Sequence, residues 1–383
     1  MATGRKGPNP WGEEPPLGSK SEQNIRDKAS GTASRENKER EPRANVPLNR
    51  RRFFYGGAAV LSGLASLFGA YWLNKQKGPT APPVITDLPD LPDRRLDLTR
   101  MRSNISILAQ KDWEGRLAGS PGQTKAGEYM ARLWSSWGLK PKGDGETFFQ
   151  SFPVPSFSLS PVNGRMHLVA GENKGNLADN LIGMIPGRDP ALRHEVVALS
   201  AHYDHLGKWD NQVYPGANDN ASGVAVLLEI AKAAIQSPTR RSLAFFLFSG
   251  EEGGLIGSKY YVEHPSIPLE SLIGLVNLDT VANGDKSDFI YWSSGNLPWR
   301  EVMEEAARAT NIRLQPQDRG MHNSDHFPFA EKGVPAISVL SGTWLEGNHT
   351  PGDTLSIINT EKLQKIAEWS WRFVYTLAES AGK

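Results

Sequence analysis

Beyond residue 195 the chain alternates short, uninterrupted apolar runs with longer amphipathic stretches, and this alternation limits the possible folds more than any other feature. Residues 195–200, 242–248, 272–278 and 336–340 read as strands that lack the alternating polarity of a half-exposed sheet. Residues 224–235, 255–262, 299–310 and 361–377 read as helices between and after them. Strands that are apolar on both faces, separated by helices, predict a three-layer α/β/α sandwich around a mixed, mostly parallel sheet.

Upstream, residues 98–108 and 125–139 carry apolar side chains at three- and four-residue spacing, as amphipathic helices do, and Gly138 is placed to cap the second. W-E-G-R-L-A-G-S-P-G (113–122) between them reads as a loop from its glycines and Pro121. Residues 166–170 and 181–185 read as further strands beside N-G and P-G turns.

The N-terminal quarter has a different texture. Residues 1–52 combine Gly, Pro, Ser and Asn with 12 Lys/Arg against 7 Asp/Glu. So little apolar surface cannot offset the entropy of ordering, which predicts a disordered tail on the cytoplasmic side. Residues 53–73 contain no charge, and about 20 such residues suffice to cross a bilayer as a helix. Arg50, Arg51 and Arg52 precede that run, with aromatic residues at both its ends, which predicts an N-inside transmembrane anchor. The order Arg-Arg-x-Phe-Phe (50–54) also resembles a twin-arginine export signal, so export after cleavage is the second reading. Residues 74–95, with five prolines, form the linker to a domain spanning 96–383. This arrangement places the domain outside the cytoplasm, on the membrane.

The formal net charge is +1, which predicts no nucleic-acid partner, and the absence of cysteine excludes disulfides, thiolate metal sites and thiol nucleophiles. Chemistry must come from elsewhere. Ligands of a parallel sheet collect at the carboxyl ends of its strands. The first predicted strand of the alternation leads into His202-Tyr203-Asp204, the second into Glu251-Glu252 and the third into Asp279. His349 and Asp353 follow the last, and Asp219 begins a helix. One strand-end aspartate usually shapes a turn; this many acids and imidazoles at one edge do not. Six carboxylates crowded together would raise one another's pKa unless cations compensate. His and carboxylate ligands without sulfur suit catalytic zinc, and paired metals recur in hydrolases.

The segments H-Y-D-H-L-G (202–207), G-A-N-D-N-A-S-G (216–223), F-S-G-E-E-G-G-L-I-G-S (248–258), N-L-D (277–279), S-D-H-F-P-F (324–329) and H-T-P-G-D-T (349–354) resemble, in order, the co-catalytic zinc peptidases of the bacterial leucyl aminopeptidase type. Glutamate carboxypeptidases and glutaminyl cyclases share that superfamily. The resemblance covers about residues 98–380, including the 114–122 loop. It implies two zinc ions, one held by His202 and Asp279, the other by Glu252 and His349, with Asp219 bridging. It implies Glu251 as general base, Asp204 as the group that orients His202, and Asp353 as a brace for His349 or its loop. The implied activity is removal of N-terminal residues from peptides.

A cyclase or a carboxypeptidase on the same scaffold is the alternative. Cyclases carry Trp before the final histidine, where this chain has Asn348. About 30 residues separate the 150–152 and 180–182 segments, too few for an inserted domain. The chain departs from the common pattern at Thr280 and Ala282, often Met and Gly, and at Asn348, often Tyr. Of the remaining candidates, His205 reads as a loop residue beside the ligands, and Ser324-Asp325-His326 as a segment near the cleft. His322 is a weaker one. His167, His194 and His264 read as ordinary surface or strand positions, whereas Trp209, Tyr214 and Trp344 are candidates for the wall of an apolar subsite.

Overall fold

A computed structural model describes residues 91–92, 96–293, 295–318, 320 and 323–380. The expected tail and the 53–73 span lie outside the described residues, as does His322. Among the described residues no helix is long and apolar enough to cross a membrane.

The described part begins with helix α1 (Leu98–Leu108), capped by the Asp97 carboxylate, which accepts from the Arg100 N–H. Helix α2 (Pro121–Trp137) has Ser120 as N-cap and Pro121 in its first turn, so the end of the expected loop is already helical. Gly138 closes it in the left-handed region, as its position in the sequence predicts. Residues 111–116 form a tight turn instead of an open loop.

The main sheet is built from β1 (Lys140–Pro141), β2 (Phe149–Val154), β5 (Asn176–Ile185), β6 (Val196–His202), β9 (Ser242–Phe248), β10 (Leu272–Leu278), β11 (Asp288–Ser293), β12 (Arg313–Pro316) and β13 (Ala336–Ser341). Its order is β1-β5-β9-β6-β10-β13-β11-β12, with β2 also paired to β5. The central strands β9, β6, β10 and β13 run parallel. Both flanks differ from the expected mostly parallel pattern: β5 pairs antiparallel with β9, and β11 antiparallel with β13. The sheet is therefore parallel at its centre and mixed overall.

Alternation along the central strands sorts the core into two faces. Val197, Leu199, Phe245 and Leu247 pack with α1, α2, α3 (Gly223–Gln236), α5 (Arg300–Thr310) and α7 (Thr360–Glu379). Ala198, Phe246 and Phe248 point the other way, against Tyr261 of α4 (Ile256–Glu263) and Phe329 of α6 (His326–Glu331). Burial on both faces explains why these strands read as continuous apolar runs. Each fully buried Phe or Leu contributes about 1.5–3 kcal/mol.

Two hairpins stand off this sheet: β3 (Phe157–Val162) with β4 (Arg165–Ala170), and β7 (Gly207–Trp209) with β8 (Gln212–Tyr214). The sequence predicts a strand at 166–170 but not that it leaves the main sheet. Its destination matters for the site.

Candidate metal centre

The carboxyl ends of β6, β9 and β10 deliver His202, the pair Glu251–Glu252 and Asp279 to one edge. Asp219 arrives from the turn before α3, and His349 from the loop after β13. Together with Leu255 and Thr280 they line a cavity of about 350 Å³. Leu255, Thr280 and His349 all have positive φ, the left-handed region that such side chains rarely enter. Non-glycine outliers of this kind gather where a site dictates the backbone. Gly216 is required for a related reason: its φ is 61°, and a Cβ there would lie 2.2 Å from the Asp219 carbonyl oxygen and 2.6 Å from the His205 ring.

Asp219 stands at the centre. Its Oδ1 is 3.3 Å from His202 Nε2, which is also 3.5 Å from Asp279 Oδ1. Its Oδ2 is 3.3 Å from His349 Nε2, which is also 2.9 Å from Glu252 Oε2. One carboxylate thus offers an oxygen to each of two His–acid pairs. The tautomers follow from what the other ring nitrogens meet. His349 Nδ1 is 2.7 Å from the Met166 carbonyl oxygen, and His202 Nδ1 is 3.3 Å from that of Asp204. A carbonyl only accepts, so both Nδ1 atoms carry a proton, and it is Nε2 of each ring that faces the carboxylates of the cavity.

His205 is the competing imidazole, since its Nδ1 also falls within a possible ligand group with Asp219 and Glu252. That nitrogen lies 2.7 Å from Glu252 Oε1 and 3.9 Å from Asp219. It serves as a donor that fixes the far oxygen of Glu252, leaving Oε2 turned to His349. His205 is completely buried.

Electrostatics follow the crowding. Burial pulls the His202 imidazole down, but Glu251 and contacts with Asp204, Asp219 and Asp279 outweigh it and hold it well above its usual value. His349 is raised in the same way, burial being outweighed by Glu252 and Asp219. Glu252 falls to about 2, because His349 and His205 overcome its burial. Burial, with Asp279, Glu252 and Asp325 nearby, pushes Glu251 well above the usual glutamate range despite His202. Protonated imidazoles stand in the metal-free set where positive charge is needed to balance the buried carboxylates, and a divalent cation among them would supply that charge and free the Nε2 atoms as ligands.

The supporting groups differ in part from expectation. Asp204 accepts the Glu251 N–H at 3.2 Å, and its carboxylate lies 3.7 Å from His202 Nδ1, so the imidazole is steered mainly by the Asp204 backbone. Asp353 does not touch His349. Its two oxygens accept the N–H groups of Asn218 and Asp219 at 2.7 and 2.9 Å, so it braces the bridging residue's turn. The physical reason is supply of donors: that turn presents two adjacent N–H groups, whereas His349 finds its acceptor in the Met166 carbonyl. Burial raises the Asp353 carboxyl to about 6.

Ser324 lies beneath the cavity, its hydroxyl donating to Asp279 Oδ2 at 2.7 Å, and Asn277 Nδ2 donates to Ser324 in turn. Asp325 accepts from the Ser258 hydroxyl and His326 Nδ1 lies 2.8 Å from the Ser338 hydroxyl; both residues are buried and neither lines the cavity. Of the aromatic candidates only Trp344 lines the cavity, joined by Trp292; Trp209 Nε1 instead donates to the Leu206 carbonyl, and Tyr214 is buried in the β7–β8 hairpin.

His167 corrects another expectation. It lines the cavity, with its ring 5.0 Å from that of His349, because the β3–β4 hairpin folds over the site. His194 and His264 lie outside the cavity lining and are exposed. Sequence reasoning also passed over Asn348, whose Nδ2 donates to Asp219 Oδ2 at 2.5 Å, and Arg165, whose Nη1 donates to Asn348 Oδ1 at 3.0 Å. The departure from the common pattern at 348 was the available signal.

With this geometry in hand, comparison with known proteins is decisive. The family model described as Peptidase family M28 matches residues 180–374, just over half of the chain. The chain belongs to peptidase family M28. Within that family it is similar to aminopeptidase YwaD of Bacillus subtilis, at 30% identity over 54% of this chain and 46% of the relative. It is also similar to leupeptin-inactivating enzyme 1 of Streptomyces exfoliatus, at 30% identity over 44% of this chain and 37% of the relative. The chain thus spans about half the length, or less, of these two relatives. Among solved structures, a zinc aminopeptidase from Bacillus subtilis superposes with a TM-score of 0.61 at 20% identity, covering 75% of this chain and 97% of that one. An aminopeptidase from Aneurinibacillus sp. strain AM-1 gives 0.59 at 22%, covering 75% and 95%. These superpositions establish the M28 member's fold as that of the zinc aminopeptidases.

Proposed function

We propose that this M28 member is a dinuclear, zinc-dependent aminopeptidase. The observation that carries the reading is the division of Asp219, one oxygen toward His202 and Asp279, the other toward His349 and Glu252. His202 and Asp279 would hold one ion and Glu252 and His349 the other, with Asp219 shared. Zinc bound there supplies positive charge that polarises a carbonyl and makes water acidic.

The chain's own groups do the rest. Glu251 lines the same cavity as the ligand set, where its carboxylate is placed to take a proton from the attacking water and return it to the leaving amine. Ser324 holds Asp279, His205 holds Glu252, and Asn348 holds Asp219, so that these acids keep their positions when a substrate enters. The four carboxylates at the cavity, Asp219, Glu251, Glu252 and Asp279, balance the charge of two divalent ions, and transfer of a proton from water to Glu251 leaves that balance unchanged. Trp292, Trp344 and Leu340 give the wall an apolar surface for the side chain of the N-terminal residue.

For the remainder of the chain we propose residues 1–52 as a cytoplasmic tail, 53–73 as an anchor or export signal, and 74–95 as a linker, with 96–383 as the peptidase domain. The support is the uncharged run behind three arginines. This sets the active site outside the cytoplasm with peptides as partners.

The test is a panel of free and N-acetylated leucyl anilides, with and without chelator. Turnover of the free amine alone, abolished by chelator and restored by zinc, is expected. Cleavage confined to blocked substrates would reject the aminopeptidase reading.

A further inference from the structure

We infer that Arg165 is a specificity residue that binds a carboxylate one residue beyond the scissile bond, so that the enzyme favours very short peptides or peptides acidic at that position. The inference rests on the aminopeptidase reading for its register, but on separate observations for its chemistry.

Arg165 is the one Lys or Arg among the described residues lining the cavity. It begins β4 and is carried over the site by the β3–β4 hairpin. The Met166 N–H donates to the His349 carbonyl at 3.3 Å, and the Met166 carbonyl accepts from His349 Nδ1. The hairpin is therefore fastened to the metal-ligand loop at the residue after Arg165. The guanidinium lies over Trp344, 5.9 Å from the ring centroid, and Nη1 donates to Asn348. Among the described residues no salt bridge joins it to a carboxylate, and its side-chain hydrogen bond there is the one to Asn348.

A cavity-lining cation that lies over an aromatic ring, is anchored through one nitrogen and has no acid partner is suited to a planar anion. The acids of the cavity do not fill that role, since Asp219 reaches Arg165 only through the Asn348 amide, which bonds both. That single amide also fixes the distance scale. A bound peptide whose scissile carbonyl lies at Asp219 advances about 3.3–3.6 Å per residue. One residue brings its next carboxylate to the guanidinium, whether that is the C-terminal group of a dipeptide or an Asp side chain.

The experiment compares Leu-Ala, its amide Leu-Ala-NH2, Leu-Asp-NH2 and leucine anilide on the zinc-loaded full chain and on R165Q and R165K. Wild type is expected to show kcat/KM for the carboxylate-bearing substrates roughly ten- to a hundred-fold above the neutral amide, the range of a charge-assisted pair. R165Q is expected to erase that preference through KM, read as the acid-to-anilide ratio within the same variant so that any loss transmitted through Asn348 cancels, and R165K, lacking the fork, to recover only part of it. Preference for Leu-Ala over Leu-Asp-NH2 identifies the terminal carboxylate as the group read; the reverse identifies the side chain.

Calorimetric binding of the same acid and amide to E251Q supplies the comparison without turnover. Equal affinity for both, or equal losses on acid and anilide in R165Q, overturns the proposal. A carboxylate preference seen only with N-acetylated peptides keeps Arg165 and overturns the aminopeptidase reading instead.

Discussion

Glu251→Gln is expected to keep its zinc and to lose roughly two to four orders of magnitude in kcat, with KM little changed. The amide preserves the shape of the side chain but cannot take a proton. Glu251 is held by its backbone, whose N–H donates to Asp204, so the substitution leaves the neighbouring ligands in place. His202, Asp219, Asp279, Glu252 and His349 all make their contacts without it. Removing one carboxylate from a crowded floor also relieves repulsion with Asp279 and Glu252, so folding stability should not fall. Steady-state kinetics with metal analysis on the same sample separates the two effects. Activity near wild type would place the base elsewhere, and loss of zinc would make Glu251 a ligand.

The second large effect concerns Arg116, which is completely buried and has no acid within bonding distance among the described residues. Its guanidinium donates to four carbonyls: Tyr203 at 2.8 Å, Leu108 at 2.6 Å, Pro215 at 2.7 Å and Gly216 at 3.0 Å. Burial lowers its proton affinity to about 10, opposed by the field of Asp353, Asp204 and Asp219, so it remains charged at neutral pH. The four carbonyls belong to α1, the residue after His202 and the turn leading to Asp219. Arg116 thus ties both sides of the metal-binding turn to the outer helix.

Arg116→Met is expected to destabilise the domain by at least about 3 kcal/mol, because hydrogen bonds from a charged donor are worth about 1.5–3 kcal/mol each and four buried acceptors lose their partner. For a domain of this size that is a fall in Tm of roughly 5 °C or more, read by calorimetry on zinc-loaded protein. Zinc affinity should weaken with it, since the turn bearing Asp219 is freed. A Tm within about 2 °C of wild type would show that the four bonds are not holding the turn.

Much of this site could be read without coordinates because its ligands sit where local patterns change. A continuous apolar strand that stops at His202, at Ser249-Gly250-Glu251 or at Asp279 marks a sheet edge, and the edge is where the strands of a parallel sheet present their last side chains. The same physics made the four central strands legible: burial on both faces leaves a continuous apolar signature. It left the flanks obscure. Strand β11, residues D-F-I-Y-W-S, turns antiparallel on β13 through pairing that no local pattern announces.

What escaped was long-range. Asp353 finds its partners 134 and 135 positions away, and the β3–β4 hairpin reaches His349 across 183. His167 therefore reads as an ordinary surface or strand position, and Arg165 falls just before the predicted strand and draws no reading at all. Asn348 was visible only as a departure, and its bonds to both Arg165 and Asp219 explain why the position matters.

The central claim is that Asp219 joins two metal sites, and zinc content measured on chelator-free protein tests it directly. Wild type is expected to hold about two zinc ions per chain, and Asp219→Ala, which withdraws one oxygen from each His–acid pair, to lose both together. A single ion in the wild type, or one that survives the loss of Asp219 at full occupancy, would contradict the account.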